Sequence, residues 1–151
     1  MVTPFEEIFP ALTDRNYHIT SAPDRDYNCI AWAAGDISKW WWPGPDLVKE
    51  YWPPDVPRSE TLAAFQQVFA LLGYVPCEGE ALETGFEKVA CFANVQGKPT
   101  HAARQLPAGR WTSKLGKMED IEHDLHDLEG AVYGTVVLLM RRARPVQERN
   151  K

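Results

Sequence analysis

The sequence has few cysteines, no long apolar run and no excess of positive charge, and each shortage removes a class of protein. Three cysteines, Cys29, Cys77 and Cys91, stand at unrelated spacings. An odd count of this kind does not make a disulfide framework and suits a reducing compartment. No stretch approaches the roughly 18 apolar residues of a membrane helix. The opening MVTPFEEIFPAL has neither the basic start nor the apolar run of a signal peptide. These features predict a cytoplasmic protein with no membrane partner, and they leave signal-independent export, with a partner protein, open. Sixteen basic side chains against 21 acidic ones give a formal net charge of −5. That balance speaks against a nucleic-acid partner, which needs clustered Lys and Arg. The glycines are scattered, with no phosphate loop or dinucleotide fingerprint, so no cofactor is expected. His123 and His126 lie three residues apart on an expected surface helix, without the accompanying Glu motif or a third ligand, and no metal is expected there. A metal site that also recruits Cys29 and His101 is the chemical competitor to a nucleophile-and-base role for those two residues.

What the chain does have is tryptophan and proline, concentrated in WWWPGPDLVKEYWPPDVP at residues 40–57. No regular element tolerates that proline density, so a long structured loop is expected. Residues 1–26 read as an irregular lead-in. NCIAWAAGDISKW (28–40) reads as a tightly packed helix with Asp26 or Asn28 as its cap and Gly35 as a candidate early end. SETLAAFQQVFALLGY (59–74) places Leu62, Phe65, Val68, Phe69 and Leu72 on one helical face. Then the pattern changes. EKVACFAN (87–94) alternates as a strand, with Val89, Cys91 and Ala93 on one face. THAARQL (100–106) and GRWTSKL (109–115) read as a hairpin. EDIEHDLHDLEG (119–130) reads as a short amphipathic helix on the stripe Ile121, Leu125, Leu128, and AVYGTVVLLMRR (131–142) as a buried strand. The order predicts an α+β fold, with N-terminal helices packed on a mainly antiparallel sheet. One domain is expected over residues 1–142, with the 40–57 loop inserted and a basic solvated tail over 143–151.

The chemistry centres on one thiol and one imidazole. A thiolate is the nucleophilic form of cysteine, and a helix N-terminus or a nearby imidazolium favours it. Cys29 follows Asn28 at a predicted helix start, and His101 opens a predicted strand. Cys77, beside a turn, and Cys91, on a strand, read as structural. Arg104 and Arg110 flank the hairpin turn, as exposed strand residues or as a fork for a substrate carboxylate. Trp40, Trp41, Trp42 and Trp52 either line a substrate cleft or pack the loop onto the domain.

YNCIAWA resembles the Cys-bearing helix start of the NlpC/P60 group of papain-like cysteine hydrolases, and HAARQLPAGRWTS resembles that group's His-bearing hairpin. Together with WWWP and WTSKLG, these motifs also resemble a bacterial branch of unknown function. The resemblance implies a papain-like core and a thiol hydrolase with no cofactor. It implies Cys29 as nucleophile, His101 as base and Ser113 at the third, imidazole-orienting position. The group usually carries Asp before the Cys, where this chain has Asn28, and His at the third position, where it has Ser113. Asp26, Asp120 and Glu122 are the alternative orienting carboxylates. The backbone N–H of Cys29, with help from the Asn28 side chain, forms the expected oxyanion hole. The expected activity is cleavage or deamidation of an amide in a peptide or similar substrate. The alternative is a non-catalytic peptide- or glycan-binding module that uses the Trp-rich loop.

Overall fold

Seven strands form one antiparallel sheet in the computed structural model, which describes residues 4–13 and 16–144. In chain order the elements are α1 (Pro4–Ile8), β1 (His18–Ser21), α2 (Cys29–Ala34), α3 (Leu62–Leu71), β2 (Val75–Pro76), β3 (Phe86–Ala93), β4 (Pro99–Gln105), β5 (Trp111–Lys114), β6 (Asp120–His123), a 3-10 turn (Leu125–Leu128) and β7 (Thr135–Ala143). The strand order across the sheet is β1-β6-β5-β4-β3-β7-β2, and every neighbouring pair is antiparallel.

Both faces of this sheet are covered. Val89 and Cys91 of β3 and Ala102 of β4 pack with Cys29, Ile30 and Ala33 of α2 and with Phe65, Val68 and Phe69 of α3. Ala90, Phe92 and Ala103 pack instead with Phe5, Phe9, Trp111, Ile121, Leu125 and Leu128. Side chains alternate along a strand, so β3 and β4 divide their residues between two cores. This explains why seven of the eight residues of β3 are buried rather than every second one. A fully buried Phe such as Phe65 or Phe69 contributes about 2 kcal/mol from burial.

The two main helices start and stop where their caps allow. The Asn28 side chain accepts from the Ala31 N–H at 3.2 Å, and Gly35, at φ 87°, ends α2 after six residues. Thr61 caps α3 in the same way, accepting from the Ala64 N–H at 3.2 Å.

Several expectations are corrected. The papain-like α+β arrangement, N-terminal helices on a sheet, is overturned. The described residues are mostly a seven-stranded antiparallel sheet with three short α-helices. The helix expected over 119–130 is a strand and a 3-10 turn. β6 pairs with β5 through Trp111↔His123, Thr112↔Glu122, Ser113↔Ile121 and Lys114↔Asp120, and with β1 on its other edge. The lead-in contains α1 and β1. The expected basic tail begins too early: Ala143 belongs to β7, and Arg144 is buried against Glu87 at 3.3 Å. The rest of that tail lies outside the described residues. The 40–57 segment is a loop as expected, tied by an isolated bridge between Trp41 and Tyr51. No helix among the described residues is long and apolar enough to cross a membrane.

Candidate active site

Cys29 stands in the first turn of α2, and Asn28 fixes that turn to the Trp-rich loop. Asn28 Oδ1 also accepts from the Trp41 N–H at 3.0 Å, and its Nδ2 donates to the Trp41 carbonyl at 2.8 Å. The side chain expected to help an oxyanion is therefore occupied as cap and clamp, with one amide hydrogen left over. Burial pushes the Cys29 thiol up to about 11. The backbone N–H groups of Ala102, Ile30 and Cys29 itself favour the thiolate, as does the Lys114 ammonium, but they do not offset burial.

Cys29 lines a cleft of about 380 Å³ together with, among others, Asn28, Trp40, Trp42, Thr100 and Tyr133. A larger groove of about 690 Å³ shares Trp40 and Glu50 with it and adds the cations Arg25, Lys39, Lys49 and Lys117. The four candidate tryptophans thus divide. Trp40 and Trp42 line the cleft. Trp41 and Trp52 are buried, with their indole N–H groups donating to Asp36 at 2.8 Å and to the Pro57 carbonyl at 2.9 Å.

His101 is fully buried on β4. Its Nε2 lies 2.9 Å from Ser113 Oγ, and the same oxygen lies 2.7 Å from His123 Nε2. His123 Nδ1 lies 2.7 Å from the Asp124 carbonyl oxygen. His101 Nδ1 is buried and has no hydrogen-bond partner. The imidazole stacks on the Tyr133 ring at 4.0 Å between centroids and meets the Phe92 ring edge-on at 5.2 Å. Burial, and then the nearby His123, hold His101 well below 6.5. Burial takes His123 down to about 4. Both rings are therefore neutral near pH 7.

The structure joins His101 to Ser113 but draws no hydrogen bond between His101 and Cys29. Ala102, paired with Cys91, lies on the face that α2 covers, whereas His101, paired with Phe92, lies on the other. Tyr133 is the side chain common to both: it lines the cleft beside Cys29 and covers His101. None of the alternative carboxylates orients His101. Asp120 accepts from Tyr27 at 3.1 Å and from the hydroxyls of Thr20 and Ser21. Glu122 pairs with Arg110 at 3.3 Å, and Asp26 lines the larger groove. Arg110 also reaches Asp124 at 3.4 Å, and Arg104 lies over the Trp32 ring at 5.7 Å.

A family model described as "Domain of unknown function (DUF7689)" matches residues 18–141. The chain belongs to that family. The matched span runs from β1 into β7 and includes Cys29, His101, Ser113, His123 and Tyr133, so the whole arrangement lies inside the DUF7689 domain. No curated protein and no solved structure matches the chain. The likeness to NlpC/P60 hydrolases therefore rests on the quoted motifs alone.

Three residues of this DUF7689 site are not apparent from the sequence pattern. His123 was expected on a surface helix beside His126. It is instead buried at the end of β6, while His126 is exposed and pairs with Glu80 and Glu129. Reading Ile121 and His123 as alternate residues of a strand would have placed His123 inside. Lys114 is fully buried, with its ammonium donating to the Asp24 and Gly116 carbonyls at 2.6 Å each and lying over the Tyr27 ring. Tyr133 carried no sequence signal. Among the described residues, no group of three or more His, Cys, Asp or Glu is placed to hold a metal ion.

Proposed function

We propose that the chain is a cysteine hydrolase that cleaves or deamidates an amide, with Cys29 as nucleophile and His101 as base. The observation that carries the reading is the position of Cys29, in the first turn of α2 and lining a cleft, with the backbone N–H groups of Ala102, Ile30 and Cys29 itself favouring its thiolate. Such donors stabilise a thiolate, and in this reading the backbone N–H groups of the same turn also serve the developing oxyanion. In this reading thiol and imidazole rest as a neutral pair. The two lie on opposite faces of the sheet, so the reaction requires Tyr133, which lines the cleft and covers the His101 ring, to move aside on substrate entry; Nδ1 then takes the Cys29 proton as the sulfur attacks the carbonyl carbon. The same proton then passes to the departing amine, and water hydrolyses the thioester.

Short acyl-amino-acid 4-nitrophenyl esters test this. The expected result is a burst of one equivalent of nitrophenolate, with one acyl group located on Cys29 by mass spectrometry. Cys29→Ala should lose both, and His101→Asn should slow acylation by about 10²–10⁴-fold. A burst that survives Cys29→Ala, or the absence of any acyl group on Cys29, overturns the proposal.

A second reading is favoured by the thiol's position near 11 and by the cleft-lining Trp40 and Trp42. It is a peptide- or glycan-binding module in which Cys29 is a packed thiol. Its mark is ligand binding that is unchanged by Cys29→Ala and weakened by Trp40→Ala.

A further inference from the structure

Two buried histidines share one serine hydroxyl, and the hydrogens in that chain can be counted. A backbone carbonyl only accepts, so the 2.7 Å contact between His123 Nδ1 and the Asp124 oxygen requires a hydrogen on Nδ1. In a neutral imidazole the other nitrogen then carries a lone pair, so His123 Nε2 accepts from the Ser113 hydroxyl at 2.7 Å. A hydroxyl has one hydrogen, and it is now committed. Ser113 Oγ must therefore accept from His101 Nε2–H at 2.9 Å. His101 is left with a bare lone pair on Nδ1, the buried nitrogen that has no partner.

We propose that His123 is a positioning residue for His101, acting through the Ser113 hydroxyl to fix the His101 ring as the Nε2–H tautomer with Nδ1 free to take a proton. The role in catalysis rests on the cysteine-hydrolase reading, but the tautomer assignment does not. The device differs from a carboxylate–histidine pair in one respect. Among the described residues no carboxylate hydrogen-bonds to His101, so the ring is oriented and held in one tautomer without being held charged. When Nδ1 takes the proton of the Cys29 thiol, Nε2–H keeps its bond to Ser113, and the chain need not rearrange. The opposite tautomer carries hydrogen on Nδ1 and has no base to offer. The Asp124 carbonyl at the far end is what breaks the symmetry between the two tautomers. This gives Ser113 a function without a charge, and it gives His123 one that its place in the sequence conceals.

Nitrogen-15 shifts of the imidazoles in the full chain read the tautomers directly. Wild type is expected to show His101 with a protonated Nε2 and a bare Nδ1, and His123 with the reverse. Ser113→Thr, which keeps the hydroxyl, should preserve both. His123→Phe should leave His101 as a mixture of tautomers and slow acylation of Cys29 by about 10-fold or more, without shifting the substrate dependence. Wild-type His101 carrying its hydrogen on Nδ1, or an unmixed Nε2–H signal in His123→Phe, overturns the relay. The expected wild-type tautomers with no acyl transfer to Cys29 would sink the hydrolase reading and leave the tautomer assignment intact.

Discussion

At the scale of single residues, Gly134 places Tyr133 over His101. It has φ 78°, and a Cβ there would lie 1.9 Å from the Ala93 carbonyl oxygen and 2.9 Å from Asn94 Cα. Those are backbone atoms of β3 and its exit, which cannot turn aside. Gly97 has nearly the same φ, 79°, with open space around its Cβ position. The pair separates conformational strain from collision. Gly97→Ala is expected to cost about 1–2 kcal/mol, the strain of a left-handed alanine. Gly134→Ala should cost about 4 kcal/mol or more, among the largest single-residue losses. Urea denaturation of the two variants checks this, and equal losses would show that the close approach of Gly134 to Ala93 is not a constraint. At this scale the sequence is legible as far as local chemistry reaches. Cys29 is marked by its helix start and His101 by its strand start, and both elements begin within a residue of where they were expected, although α2 ends at Ala34 rather than at residue 40. The face to which His101 points was not legible. His101, Ala102 and Ala103 of β4 are all buried, so no alternation of exposure marks one face from the other.

At the scale of elements, β6 is the instructive case. Ile121, Leu125 and Leu128 do share a core, as their spacing suggested, but a strand and a 3-10 turn bring them there rather than a helix. The segment has a neighbour on each edge, β5 and β1, and the ladder bonds from both outweigh a local preference that favours a helix only slightly. Spacing reports which residues are buried more faithfully than it reports the backbone that buries them. A strand here predicts a cost pattern of period two. Ile121→Ala should lose about 3 kcal/mol, since Ile121 is fully buried. Glu122→Ala, with a half-exposed ion pair to Arg110 at 3.3 Å, should lose about 0.5 kcal/mol. His123→Ala should again be costly, where an amphipathic helix would have tolerated it. Thermal or urea unfolding of the three variants reads this alternation. A small loss at His123 together with a large one at Glu122 would restore the helix.

At the scale of the whole molecule, the two cores are not independent, because β3 and β4 contribute to both. Val89 and Cys91 enter the core beneath α2 and α3, while Ala90 and Phe92 enter the one that holds His101, Ser113 and His123. A disturbance on one face is therefore felt on the other, and acid supplies a selective one. His123 titrates near 4 when folded and about 6.5 when unfolded, and His101 is depressed in the same direction. Below 6.5 the unfolded chain binds protons that the folded chain refuses, so stability is full above that value and falls as the pH drops toward 4. For His123 alone the loss between pH 7 and pH 5 is about 2 kcal/mol. His126 acts with the opposite sign. Burial opposes its charge, but Glu80 at 2.8 Å and Glu129 at 2.9 Å raise its pKa, so its contribution is present below 6.5 and fades above. It is more than half exposed, and solvent screening keeps that contribution small. The expected outcome is a urea midpoint that falls from pH 7 to pH 5. Tryptophan fluorescence, weighted to the α2 face by Trp32, Trp41, Trp42 and Trp52 with Trp111 on the other, should report the same midpoint as far-ultraviolet circular dichroism at each pH. His123→Phe should reduce the difference between the two pH values. An unchanged wild-type midpoint would mean that the histidines are not held neutral. Midpoints that separate between the two signals at pH 5 would mean that the shared strands fail to couple the two faces.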